Sequence, residues 1–267
     1  MLLNENIFLE NQGNKTSKLN LIILPEYTEE INNYKKNFES LKNRFNLHFL
    51  DWSSLYEEKE DLKFQNLFEY IYTKLDHLKN EVDFKNCIFV GSGIGATIMQ
   101  YFANKYKPLG QVLISPIYST TFVNPFTSNI PSYKDDLVSY YIRLKKEYFR
   151  FHDYFIDKSD PVFLEKYNFY FDNKEFFDTT IAQISLYESL KEIREFENNF
   201  IPNTVIFMGV YDEVVEFDYL LKSRKFKSLN KNIPVVLFNE SSHHLEFEEN
   251  QEFISKLKHY ANKWDNF

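Results

Sequence analysis

Cysteine and glycine are the scarce residues of this chain. Its 267 residues include a single cysteine, Cys87, and only six glycines. One cysteine closes no internal disulfide and builds no cysteine-rich zinc site, which excludes a secreted disulfide scaffold and a zinc finger. Cationic excess is missing as well. The 31 Lys+Arg stand against 39 Asp+Glu, a net charge of −8. A nucleic-acid binder needs a basic stripe to neutralise phosphates, so that class is excluded. No apolar run approaches the ~18 residues of a membrane span. The opening MLLNENIFLE puts Asn4 and Glu5 where a secretory signal needs basic residues followed by an apolar stretch. The expectation is a cytoplasmic globular protein, long enough to bury about three quarters of its unfolded surface.

Aromatic residues are abundant, with 28 Phe and 19 Tyr. Such content can build a surface for sugars, lipids or partners. Here it accompanies many Asn and Lys, and all four residues have AT-rich codons, so it reads as the codon bias of an AT-rich genome. The glycines are more informative. They are Gly13, Gly91, Gly93, Gly95, Gly110 and Gly209, and half of them fall within five residues. A chain that otherwise does without glycine places one where a side chain is not tolerated, through positive φ or close packing.

Short apolar runs alternate with longer amphipathic ones, the pattern of an α/β protein with a mostly parallel sheet. Strands are expected at Leu19–Leu24, Asn46–Trp52, Cys87–Val90, Gln111–Ser115, Thr204–Met208 and Pro234–Phe238. Helical spacing of apolar residues covers Glu29–Arg44, Gln65–Val82, Ile94–Tyr106, Phe217–Ser228 and Glu249–Trp264. Residues 117–200 break the alternation, being aromatic and charged with helical stretches near 133–155 and 181–197. They read as an insertion within one sheet domain made of 1–116 and 201–267. No repeat and no low-complexity linker interrupts the chain.

Gly91-Ser92-Gly93-Ile94-Gly95-Ala96 lies between a strand and a helix. As a dinucleotide fingerprint it would need an early βαβ unit and an acid at the end of the following strand. That strand instead ends in Ser115-Pro116-Ile117. The other template is the strand–elbow–helix G-x-S-x-G, whose outer glycines permit a strained turn and close helix packing. The stretch CIFVGSGIGATIMQYFANKYKPLGQVLISP resembles the α/β-hydrolase fold family, of the esterase and lipase kind. The resemblance implies an acid after the strand that follows the insertion and a His after the last strand. Asp212, in Gly209-Val210-Tyr211-Asp212, and His243, in Asn239-Glu240-Ser241-Ser242-His243-His244, stand in those places. The family's His is commonly followed by an acid five residues on and a Phe about ten on. Glu248 and Phe253 therefore select His243 over His244. The resemblance makes 117–200 a helical cap over a sheet with helices on both faces.

Two positions depart from the family. The nucleophile position is Gly93, which has no atom with which to attack. The oxyanion loop after the first strand carries Glu26 in Leu24-Pro25-Glu26-Tyr27, where a carboxylate would repel a developing oxyanion. A glycine at the elbow is similar to the N-myc downstream-regulated family, which is not regarded as enzymatic. The sequence reading is thus a catalytically inactive hydrolase-like protein, a pseudoenzyme serving as scaffold or interaction subunit for a protein partner. The alternative is a divergent esterase, lipase or thioesterase using Ser92, or water activated by the His243–Asp212 dyad. A third reading is a receptor for an apolar small molecule under the cap.

The remaining features are read structurally. His48 belongs to the core or sheet edge, and His77 and His259 face solvent from helices. His152 lies in the aromatic cap, and Glu57-Glu58-Lys59-Glu60-Asp61 is a solvated run. His243 and His244, with Glu240 and Glu246 nearby, lack metal-ligand spacing, so neither metal nor cofactor is expected.

Overall fold

The structure is a computed structural model, and it describes residues 11–13, 19–26, 31–51, 64–117, 200–212, 215 and 233–265. The expected cap, apart from its two end residues, and the helix expected at Phe217–Ser228 lie outside these.

Strand β1 is Asn11–Gly13, β2 Leu19–Leu24, β3 Phe45–Phe49, β4 Cys87–Ser92, β5 Gly110–Ile114, β6 Thr204–Gly209 and β7 Val235–Phe238. They form one sheet in the order β1-β3-β2-β4-β5-β6-β7. All neighbours are parallel except β1, which runs antiparallel along the edge of β3. Helices α1 (Ile31–Phe38), α2 (Phe64–Leu78), α3 (Ile94–Tyr106) and α5 (Asn250–Asp265) connect or cover the strands, and α4 (Leu245–Glu248) is a single turn. Parallel strands covered on both faces need apolar residues throughout, not in alternation. LNLIIL, CIFVGS and TVIFMG are accordingly buried along their whole length.

Alternate residues of the strands meet different helices. Leu21, Ile23, Val90, Val112 and Phe207 share a core with Tyr34 and Phe38 of α1 and Phe253, Leu257 and Trp264 of α5. Phe253 sits edge-on to Phe38 and Phe207, with centroids 5.4 and 6.0 Å apart. Each such ring contributes roughly 2 kcal/mol by burial. On the opposite face Phe89 packs through Phe84 onto Tyr106 of α3. Trp264 closes the C-terminal helix over Gly110, where a Cβ would lie 2.3 Å from the indole.

The expected elements that fall among the described residues are found, most with shifted ends. The helix expected at Glu29–Arg44 is regular only over Ile31–Phe38, followed by a 3-10 turn at Glu39–Leu41. Strand β3 stops at Phe49 instead of Trp52, after which Leu50 N–H donates to Ile23 C=O at 2.8 Å. The three-residue β1 has too short a pattern to read in sequence. Among the described residues no helix is long and apolar enough to cross a membrane. His77 and His259 are exposed as expected, and Cys87 is buried with its thiol pushed up by desolvation.

His48 is buried in β3, its Nε2 3.1 Å from Asn20 Oδ1, and burial lowers its pKa to about 4. Unfolding returns it toward 6.5, so the unfolded chain binds the proton first as pH falls. The His48 contribution to stability is therefore expected to be level above pH 6.5 and to decline from there toward pH 4. The decline reaches about 2 kcal/mol near pH ~5. Urea unfolding across this range measures it, and His48→Gln, which retains a donor for Asn20, should flatten that slope.

Candidate functional site

Four strand ends converge at the carboxyl edge of the sheet, the edge where open parallel sheets hold their ligands. The first is the elbow. Strand β4 ends at Ser92, the chain turns at Gly93 with φ 54° and ψ −118°, and α3 begins at Ile94. Gly93 is the one described glycine with positive φ. The outer glycines serve packing. A Cβ on Gly91 would lie 2.6 Å from Ala96 Cα, and one on Gly95 would lie 2.5 Å from Pro25 C=O. Gly93 N–H donates to Ile114 C=O at 2.8 Å, and its carbonyl accepts from Ile117 N–H at 3.2 Å, which ties the turn to the end of β5.

The second strand end brings Glu26. Two residues past β2, it points inward and is 1 % exposed. Its carboxylate lies over the elbow. A Cβ built on Gly93 would fall 1.1 Å from Glu26 Oε2 and 2.3 Å from Cδ. The volume that a side chain at position 93 would enter is therefore filled by a carboxylate from another strand. Gly93 is also the N-cap of α3, and the positive end of that helix dipole favours a negative charge there.

The third and fourth ends bring Asp212 and His243. Past β6, Asp212 Oδ1 accepts from Val215 N–H at 2.8 Å, which fixes its turn. Val210 N–H donates to Phe238 C=O at 2.9 Å and Tyr211 N–H to Ser241 C=O at 3.0 Å, joining that turn to the loop after β7. Acids from the next turn brace the loop itself. Glu248 Oε2 accepts from Ser242 N–H at 2.6 Å and from its hydroxyl at 3.0 Å. Glu249 Oε2 accepts from Ser241 Oγ at 2.5 Å. His243 Nδ1 then lies 2.9 Å from Asp212 Oδ2 and 3.1 Å from Oδ1, so Nδ1–H donates to the carboxylate. Its Nε2 faces Glu26 Oε2 at 3.5 Å, an ion-pair distance. Desolvation alone would lower the imidazole's pKa. The carboxylates of Asp212 and Glu26 outweigh it and push His243 up to about 10. The imidazole lies between two carboxyl groups, which favour its protonated form.

Ser92 is turned elsewhere. Its hydroxyl donates to Glu246 Oε1 at 3.0 Å, and the Tyr34 hydroxyl donates to the same oxygen. His244 Nδ1 approaches that oxygen at 3.8 Å. Burial pushes the Glu246 carboxyl up against the opposing pull of the Tyr34 and Ser92 hydroxyls. The structure thus brings Gly93, Glu26, His243 and Asp212 together and ties Ser92 to a second buried cluster beneath them. Neither the inward direction of Glu26 nor the Glu246 cluster was evident from sequence. The one hint was Glu246 standing three residues after His243, a spacing that one helical turn folds back. Among the described residues no group of three or more His, Cys, Asp or Glu is arranged to hold a metal.

No protein-family model and no curated protein matches the sequence. Solved structures do match in shape. The 2-hydroxy-6-oxo-6-phenylhexa-2,4-dienoate hydrolase of Rhodococcus sp. strain RHA1 gives a TM-score of 0.69 at 15% identity, over 93% of this chain and 92% of that one. An esterase from Exiguobacterium antarcticum gives 0.58 at 13% identity, over 95% and 94%. The haloalkane dehalogenase DbeA from Bradyrhizobium elkani gives 0.66 at 10% identity, over 96% and 94%. At these identities the likeness establishes the architecture, which is the α/β-hydrolase fold.

Proposed function

We propose that the protein is a hydrolase whose working groups are Glu26, His243 and Asp212. One observation carries this reading. Both ring nitrogens of the buried His243 face carboxylates, and the second carboxylate occupies the volume above the elbow where a residue-93 side chain would stand. Gly93 is then the condition for Glu26 to enter, since any side chain there would collide with it. In this reading Asp212 orients the imidazole and balances its charge, and His243 carries the proton. Glu26 is the anionic group nearest the substrate. The three groups together carry one net negative charge, which suits an uncharged substrate better than a carboxylate. The names of the solved structures that share the fold, a hydrolase, an esterase and a dehalogenase, support hydrolysis as the reaction class.

The test is hydrolysis of two panels beside a His243→Ala control from the same preparation. One panel holds acyl esters of increasing chain length and the other primary alkyl halides. Removing the proton carrier should lower kcat/KM by about a thousandfold, within the range for a positioned acid or base. Equal rates for the two proteins on both panels would refute the hydrolase reading. The inactive scaffold would then stand in its place, to be pursued through a co-purifying partner.

A further inference from the structure

We propose that Glu246 is a positioning residue, which from beneath the elbow holds the end of β4 and the His243 loop at a fixed separation. This rests on the hydrolase reading above and adds a residue that acts through the site without touching substrate. Glu246 is fully buried and lies in the single turn of α4, three residues after His243. Its Oε1 accepts from the Ser92 hydroxyl at 3.0 Å and from the Tyr34 hydroxyl as well. Ser92 is the last residue of β4 and the immediate neighbour of Gly93. One carboxyl oxygen therefore joins three segments far apart in the chain: the His243 loop, the elbow and α1.

Ring contacts follow the same line. Tyr34 of α1 stands edge-on to Phe247 with centroids 5.3 Å apart, Phe247 to His244 at 5.8 Å, and His244 to His243 at 5.4 Å. The backbone of the turn is tied in too. Asn250 Nδ2 donates to Glu246 C=O at 2.9 Å and to Asn37 C=O at 3.2 Å. Phe247 N–H and Glu248 N–H donate to His244 C=O at 2.9 and 3.2 Å. His243 thus has two supports: Asp212 holds its ring from the β6 side, and the α4 turn holds its loop from the α1 side.

A carboxyl in this place needs a reason. Tyr34, Phe38, Leu245 and Phe253 belong to the apolar core around it, and burying a carboxyl there is costly. Apolar groups of the same shape in place of both partners would avoid that cost. What they could not supply is direction. A hydrogen bond fixes distance and angle, whereas apolar contact lets one element slide along another. The elbow needs such a restraint because Gly93 has no side chain to pack. Its backbone bonds to Ile114 and Ile117 lead toward β5. The bond from Ser92 to Glu246 leads the other way, to the loop that carries His243.

The experiment uses the full chain and compares Glu246→Leu, Glu246→Gln and Ser92→Ala. Leu257→Ala, in the buried core of α5, is the control for stability alone. One readout is the imidazole N–H resonance of His243 without substrate, and the other is kcat and KM on acyl esters. Glu246→Leu should displace the resonance and lower kcat about 30-fold with KM unchanged, as a small misplacement does. Glu246→Gln keeps an oxygen to accept both hydroxyls, so it should restore the resonance and bring kcat to within about threefold of wild type. Ser92→Ala, which removes a single bond, should displace the resonance and lower kcat about fivefold. Leu257→Ala should unfold earlier and keep both readouts. A Glu246→Leu protein with the wild-type resonance and kcat overturns the proposal. So does a Glu246→Gln protein as damaged as Glu246→Leu, because the hydrogen bonds are then not what matters. If Glu246→Leu does not fold, an unmoved resonance in Ser92→Ala overturns it instead. Absence of ester turnover in every protein, wild type included, counts against the hydrolase reading, and the resonance then decides the positioning by itself.

Discussion

Gly93→Ser is expected to lower the melting temperature and to create no serine esterase. The substitution supplies the residue type that the elbow template asks for, yet the structure has no room for it. Gly93 has φ 54°, where an L-residue costs about 1–2 kcal/mol. The new Cβ would also stand 1.1 Å from Glu26 Oε2, inside its van der Waals radius. Glu26 would have to swing away from His243, and breaking a buried ion pair costs about 3 kcal/mol. A double-mutant cycle separates the two contributions. If the collision dominates, Gly93→Ser combined with Glu26→Gly should be less destabilised than the sum of the single variants, by about 2 kcal/mol. Urea unfolding of the four proteins measures this. Simple additivity would mean that Glu26 and position 93 do not compete for one volume.

Gly209→Ala should damage the site from the other side. Gly209 ends β6, and a Cβ there would lie 2.0 Å from Ser242 C=O and 2.5 Å from Ser241 C=O. These are backbone atoms, which cannot rotate aside as the tip of a side chain can. The contact forces the end of β6 away from the loop that carries His243, and two hydrogen bonds, from Val210 and Tyr211, cross that seam. Overpacking of this kind costs about 3 kcal/mol. The functional effect should be larger than the stability loss suggests, because Asp212 and His243 are positioned from opposite sides of the seam. Loss of the downfield imidazole N–H resonance of His243, together with at least a ~10-fold fall in kcat/KM, is the expected signature. The adjacent Val210 is 40% exposed, and Val210→Ala should change stability by less than ~0.5 kcal/mol.

Much of this site is written in local pattern. Helix α3 falls at Ile94–Tyr106 as its apolar spacing and flanking glycines require. Asp212 and His243 are legible because each follows a short apolar strand. Glu248 and Phe253 then distinguish His243 from its neighbour through their spacing. The structure gives both markers a physical job, since Glu248 braces Ser242 and Phe253 anchors α5 against Phe38 and Phe207. Glu26 was legible as a departure but not as a contact. It follows Pro25 in a stretch with no periodicity, so nothing local says which way its side chain leaves the backbone. The same holds for Glu246, whose bonds to Tyr34 and Ser92 span 212 and 154 residues of chain.

The pairing of β2 with β4 carries a wider consequence. In that parallel register Leu24 stands opposite Gly91, so Glu26 and Gly93 are each two residues beyond the same rung. Two adjacent strands leaving a sheet in step deliver their next residues to one point from different sides. One volume can then be filled from either strand while the Asp212–His243 pair stays where it is. Which strand fills it depends on one residue being glycine, and a reading of the elbow sequence alone sees the glycine without the carboxylate that stands over it.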